Sequence, residues 1–229
     1  MGKDSYRTYG FTLIEILTAM FIFSVIASTL FIAYRALFVD TAGFKKGMQR
    51  YAVAQSCFSR INSDLSAIKV AVAPLYTPPE PEDPPDPYRL FGQTAYSGDI
   101  VSGTLRFASL AHVPLGRTPR TGIAEIRYYV QADSDGQFVL KRTDHLYPFP
   151  DSQASGADPV LCDGVRSLRF TYYDAEGEPH ENWDSDSADN NYATPVSISV
   201  ALEIGDDTST AAFQTRIALP VIREGRDPQ

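Results

Sequence analysis

The chain has 229 residues, 44% hydrophobic and 12% aromatic, enough to bury a sizeable core as one large or two small domains. With 21% charged residues and a formal net charge of −8, the composition argues against global disorder. Lys and Arg never run longer than two together, which argues against phosphate-backbone binding and so against a nucleic-acid partner.

A short polar leader, Met1 to Gly10, carries Lys3 and Arg7. From Phe11 to Ala33 every residue is apolar or small, Thr and Ser included, except Glu15. These 23 residues make roughly 35 Å of α-helix, enough to cross a hydrocarbon core of about 30 Å. The positive-inside rule keeps the leader cytoplasmic and sends everything after Ala33 across the membrane. The run is longer than a secretory h-region of about 7–15 residues and no small-x-small cleavage site follows it. A plain signal anchor fits the length but leaves a carboxylate in lipid, which costs about 2.5–3.5 kcal/mol and calls for a partner.

Beyond Tyr34 and Arg35, apolar residues recur every three or four positions: Leu37, Phe38, Phe44, Met48, Tyr51, Val53, Ala54, Phe58, Ile61, Leu65 and Ile68. The spacing predicts one helix continuing to about Lys69, its second half laid on a globular domain. Gly43 and Gly47 weaken its middle by about 1 kcal/mol each. Pro74 stops the pattern and opens a proline-rich acidic loop, 74–87, read as extended and solvated. Strands are predicted at 104–110, 123–131, 138–143, 166–173, 196–204 and 213–221, with turns at Asp133-Ser134-Asp135-Gly136 and Ala175-Glu176-Gly177. One long helix followed by such strands predicts an α+β fold, the helix packed on antiparallel sheet.

No catalytic or cofactor constellation emerges. His112, His145 and His180 are isolated and share no ligand spacing, and no phosphate-binding, nucleophile-elbow or zinc-protease motif occurs. The acidic segment 183–191 suggests calcium, but an EF-hand would need an oxygen ligand and then Gly where Ala188 and Asp189 stand. No metal site is assigned. Cys57 and Cys162 have two readings: one bridge if the folded part is extracytoplasmic, or two small buried hydrophobes.

Gly10-Phe11-Thr12-Leu13-Ile14-Glu15-Ile16-Leu17 resembles the type IV prepilin signature. The resemblance implies that a prepilin peptidase cuts between Gly10 and Phe11 and methylates the new Phe11 amine. It also implies that Glu15 is the assembly contact, answered by the N-terminal amine of a neighbouring subunit. The implied organisation is a cleaved leader 1–10, a helix 11–69 whose 11–33 part is transmembrane, and a β-rich domain 70–229. Farther on, Val160-Leu161-Cys162-Asp163-Gly164-Val165-Arg166-Ser167-Leu168-Arg169-Phe170 precedes Tyr172-Tyr173-Asp174, Trp183-Asp184-Ser185 and Pro195-Val196-Ser197-Ile198-Ser199-Val200. This order is similar to the J-type minor pseudopilins of the type II secretion system, and a PilW-like minor pilin of a type IV pilus shares much of it. The proline-rich acidic loop departs from the family pattern. The J-type resemblance implies a pilin-like fold without enzymatic activity, anchored once in the bacterial inner membrane, its C-terminal domain periplasmic. Its implied partners are the I- and K-type minor pseudopilins and the major pseudopilin, in a pseudopilus that exports folded proteins. A membrane-tethered substrate-binding module is the alternative of a different class.

Overall fold

The computed structural model describes residues 11–80, 82–97, 100–113, 121–149, 158–206 and 209–225, with the backbone alone for 36–46. The chain divides into two units, Met1–Gln49 and Arg50–Gln229. Helix α1 runs Leu13–Ser66, with no proline in its 54 residues, and stays helical through Gly43 and Gly47.

In the first unit the helix begins on a reciprocal cap. Thr12 Oγ1 accepts from Glu15 N at 3.4 Å, while the Glu15 carboxylate accepts from Thr12 N at 3.3 Å. Two end groups that the helix itself cannot satisfy are thereby paired.

The second unit holds the sheet. Its strands are β1 (Ile68–Lys69), β2 (Phe91–Ser97), β3 (Ile100–Ser109), β4 (Ala124–Ala132), β5 (Phe138–Leu146), β6 (Val160–Cys162), β7 (Val165–Tyr173), β8 (Pro179–His180), β9 (Trp183–Asp184), β10 (Ser197–Asp206) and β11 (Ser209–Ala218). The main path is β11-β10-β7-β3-β4-β5-β6, with β1 and β2 also on β3, β8 on β7 and β9 on β2. Pairing is antiparallel apart from the junction of β3 with β7, where Val101 and Ser102 run parallel to Ser167 and Leu168. That junction joins an antiparallel ribbon of β7, β10 and β11 to a second one built from β3, β4, β5 and β6.

Alternation along the strands decides the core. Leu168, Phe170 and Tyr172 of β7 point inward beside Ile198, Val200 and Leu202 of β10, Leu105 and Phe107 of β3, and Ile126 and Tyr128 of β4. Ala54, Cys57, Ile61 and Leu65 of α1 enter the same cluster. The expected Met48 and Tyr51 remain exposed instead. The helix stops at Ser66, short of the expected Lys69, because the sheet takes over its end. Ser109 Oγ donates to the carbonyls of Asp64 (2.8 Å) and Ala67 (3.2 Å), and Leu110 N donates to Ala67 O at 2.9 Å. Ile68 and Lys69 then pair with Ser109 and Ala108.

Two glycines let layers approach. A Cβ at Gly103 would lie 2.9 Å from the Phe170 ring and 3.0 Å from Leu168 O, so the β3–β7 junction closes only over a bare backbone. A Cβ at Gly92 would lie 1.7 Å from Tyr172 Oη, and the fully buried Tyr172 ring has nowhere to retreat. Gly92→Ala is therefore expected to destabilise the sheet unit by about 1–3 kcal/mol through overpacking. Urea denaturation followed by the fluorescence of Trp183, the single tryptophan, measures this. An unchanged midpoint would mean that Tyr172 moves freely.

Candidate functional site

The apolar stem comes first. From Leu13 to Tyr34 the large hydrophobic side chains are 49–80% exposed, on a stretch (Leu13–Arg35) long enough to cross a bilayer. A surface so apolar on all sides is stable only in lipid or against other apolar helices. Three of its hydroxyls are turned onto its own backbone: Thr18, Ser24 and Thr29 donate to the carbonyls of Ile14 (2.7 Å), Met20 (2.8 Å) and Ile26 (2.8 Å). Glu15 is the sole carboxylate in this stretch, and Phe11, exposed, precedes it. Gly10 and the rest of the leader lie outside the described residues. The Thr12–Glu15 cap was readable from the Thr-x-x-Glu spacing but was missed. It gives Glu15 a partner in its own chain, one that donates hydrogen bonds without supplying an opposite charge.

In the second unit the helix is held by a buried ionic cluster. Asp64, fully buried, accepts from Arg142 Nε at 2.7 Å and Nη2 at 3.2 Å, and also from Arg60 and Tyr128 Oη. Arg142 Nη1 continues to Asp144 at 2.7 Å. Asp144 also accepts from Val113 N at 2.9 Å and lies 2.5 Å from His112 Nδ1. Burial alone would raise the Asp144 carboxyl, but its bonds to His112, Val113 and Arg142 hold it below the usual carboxylate range. Burial, with the Asp64 charge next, pushes the Tyr128 hydroxyl well up. Two carboxylates face two guanidiniums, which is what makes burial tolerable. Asp64 sits one turn from Ile61 on the buried stripe, so an inward carboxylate was legible there.

A second knot surrounds Arg223, near the C-terminus. Its Nε donates to Tyr192 O (2.7 Å), its Nη1 to Ala71 O (3.0 Å) and Asp86 (3.2 Å), and its Nη2 to Ser185 O. The guanidinium lies 3.4 Å over the Tyr76 ring. Asp186 accepts from Tyr76 Oη at 2.6 Å and from Asp86 N at 2.8 Å. The proline-rich loop is thus exposed over 82–85, as expected, yet pinned near both ends by Tyr76 and Asp86.

The calcium segment is committed to the same knot. Asp186 serves Tyr76 and Asp86, while Asp184 accepts from Asp186 N at 3.0 Å and lies 3.7 Å from Arg89. Among the described residues no group of three or more His, Cys, Asp or Glu is placed to hold a metal ion. The histidines lie apart from one another, each in its own setting. His145 lies in β5 and His112 pairs with Asp144. His180 lies in β8, pairs with Asp174 at 2.7 Å and meets the Trp183 ring edge-on at 5.3 Å. The structure brings Cys57 and Cys162 together as buried free thiols that act on each other. That interaction lowers the Cys57 thiol and raises the Cys162 thiol.

The comparisons agree with this anatomy. Residues 6–31 match the prokaryotic N-terminal methylation motif, the signature of a prepilin-type subunit carried on a single apolar helix. Residues 36–213 match the family of type II secretion system protein J. The chain belongs to that family and is a minor pseudopilin with a pilin-like α+β fold. Among solved structures, a type IV-like pilin from Thermus thermophilus is similar over 58% of this chain and 85% of its own, with 8% identity and a TM-score of 0.36. No curated protein matches the chain.

Two predictions test the ionic cluster. Asp64→Ala leaves Arg142 buried without its main partner and should cost about 3–5 kcal/mol, read from the urea midpoint of Trp183 fluorescence. A loss below about 1 kcal/mol would show that the cluster is not holding the helix. The depressed Asp144 carboxyl contributes stability that is complete above the ordinary carboxylate value, about pH 3.9, and is lost as pH falls through its lower folded value. Acidification should therefore lower the urea midpoint less steeply in Asp144→Asn than in the wild-type chain.

Proposed function

We propose that this minor pseudopilin is a tip subunit of the pseudopilus, assembling with I- and K-type minor pseudopilins and then the major pseudopilin to export folded proteins. The observation that carries the reading is the exposed apolar stem headed by Phe11 and Glu15, on the same helix whose other half enters a protein core. Such a stem serves lipid storage and filament packing equally, since both surround it with apolar groups. Prepilin peptidase removes residues 1–10 by cutting between Gly10 and Phe11, and the Phe11 amine is methylated. Lys3 and Arg7 hold the leader in the cytoplasm and place the sheet unit in the periplasm.

Glu15 passes from its own Thr12 to the N-terminal amine of a neighbouring subunit. The exchange replaces neutral donors with a cation, and in a low-dielectric bundle a charge-assisted bond is the stronger one. No observation favours the PilW-like pilin or the tethered substrate-binding module over this reading.

Gly10→Leu should block leader removal, leaving a species heavier by the leader in intact-mass spectrometry; normal trimming would sink the prepilin assignment. Glu15→Val should insert into membranes at least as well as the wild type, yet fail to co-purify with the I- and K-type subunits and lose secretion. Unchanged co-purification and secretion would remove Glu15 from assembly.

A further inference from the structure

Cys57 and Cys162 are far apart in sequence and adjacent in space. Cys57 occupies the buried stripe of α1, between Ala54 and Ile61, while Cys162 ends β6 opposite Leu140. The two side chains lie, at 1% and 3% exposure, inside one apolar cluster and close enough to act on each other. The strand that carries Cys162 is the shortest on the main sheet path. It is three residues long and, among the described residues, pairs with β5 alone, through Leu140↔Cys162 and Lys141↔Val160, with a register shift between them. It is also the terminal strand of that path, where a short segment has one neighbour instead of two.

We propose that Cys57 and Cys162 form a disulfide that fastens the assembly helix to this terminal strand. The inference rests on the periplasmic placement proposed above, because only an oxidising compartment maintains such a bond. The oxidant is a dithiol–disulfide exchange protein in its disulfide form. One cysteine thiolate attacks a carrier sulfur, forming a mixed disulfide and releasing the other carrier sulfur as a thiol. The second cysteine thiolate then displaces the carrier. Two thiol protons and two electrons leave the chain, the carrier ends as a dithiol, and one S–S bond of about 2 Å joins Cys57 to Cys162.

Burial sets the order of events. Neither sulfur is accessible to a carrier protein in the folded unit, so the exchange takes place before α1 settles on the sheet. Once the core closes, the bond is shielded from reductants by the packing that hid the thiols. The closed loop, 57–162, spans most of β1 to β6, a length at which cross-linking removes much of the unfolded chain's freedom. The mechanical consequence is specific to a filament subunit. Load entering the sheet unit along α1 passes through a covalent tie as well as through apolar contacts, which resist shear poorly because they are non-directional.

The test uses the full chain, expressed with its leader, purified from membranes in detergent and then unfolded in guanidinium with a maleimide present, so that any buried free thiol is blocked before digestion. Without reductant, trypsin should yield peptides 51–60 and 143–166 as one cross-linked species, lighter by two hydrogens than the separate pair. With reductant they should separate. Protein refolded from urea with reductant should melt lower than the bridged protein, by on the order of 10 °C. The Cys57→Ala/Cys162→Ala variant should melt alike with and without reductant, which separates a bond from mere packing. Maleimide on both cysteines, with the sheet unit digestible by protease added to spheroplasts, overturns the bridge alone. A sheet unit shielded from that protease overturns the periplasmic reading and the bridge with it.

Discussion

The buried pairing of Asp64 with Arg142 is the constraint on which the sheet unit's arrangement turns. Apolar contacts bring α1 onto the sheet but do not specify how far along or around it sits, because burial rewards area and not direction. A carboxylate at zero exposure, bonded at once by Arg60, Arg142 and Tyr128, tolerates little sliding. One residue of slippage would leave a charge buried without its partner, at a cost of several kcal/mol. Arg142 passes the constraint to Asp144, and Asp144 passes it to His112 and Val113. The helix, β4, β5 and the segment after β3 are therefore referred to one another through charges that cannot be separated cheaply. The contacts of the helix reach both ends of the main sheet path, with Arg50 on Asp206 and Ser209 at the β10–β11 end and Asp64 on Arg142 of β5 towards the other.

The stem obeys the opposite rule. Its apolar side chains make no directional demand, and the hydroxyls of Thr18, Ser24 and Thr29 are closed onto its own carbonyls. Such a helix moves between lipid and a bundle of like helices at small cost, since neither environment adds or removes much apolar contact. Glu15 breaks the indifference. Thr12 gives it hydrogen-bond donors but no opposite charge.

Much of this was legible in the sequence, and the boundary of legibility is physical. The stem showed itself through sheer length of apolar run, and β7 and β10 through alternation, because each buries one face completely: Leu168, Phe170 and Tyr172, then Ile198, Val200 and Leu202. Strand β2, Phe-Gly-Gln-Thr-Ala-Tyr-Ser, gave no such pattern. Its place is fixed by partners far away in sequence, by Gly92 beneath Tyr172 and by Trp183 in β9. Strands of two or three residues, such as β1, β6, β8 and β9, are too short to display any period. Asp64 was visible as a carboxylate on an apolar stripe, whereas Arg223 was not visible at all. Its partners come from the Ala71–Asp86 segment and from the loop after β9, and no local pattern announces a meeting of three distant stretches.

The Arg223 knot also explains how a proline-rich acidic loop coexists with a rigid core. A solvated loop costs little when its ends are close and fixed, because loop entropy grows only slowly with length. Tyr76 and Asp86 fix those ends on Asp186 and Arg223, leaving residues 82–85 exposed without loosening the sheet. The acidic residues that suggest a metal site by composition work instead as acceptors for an arginine, a tyrosine and backbone amides. Composition alone cannot separate those uses, since a carboxylate that binds a cation and one that binds a guanidinium need the same oxygens. What decides is the charge nearby, and here Arg223 supplies the cation from the chain itself.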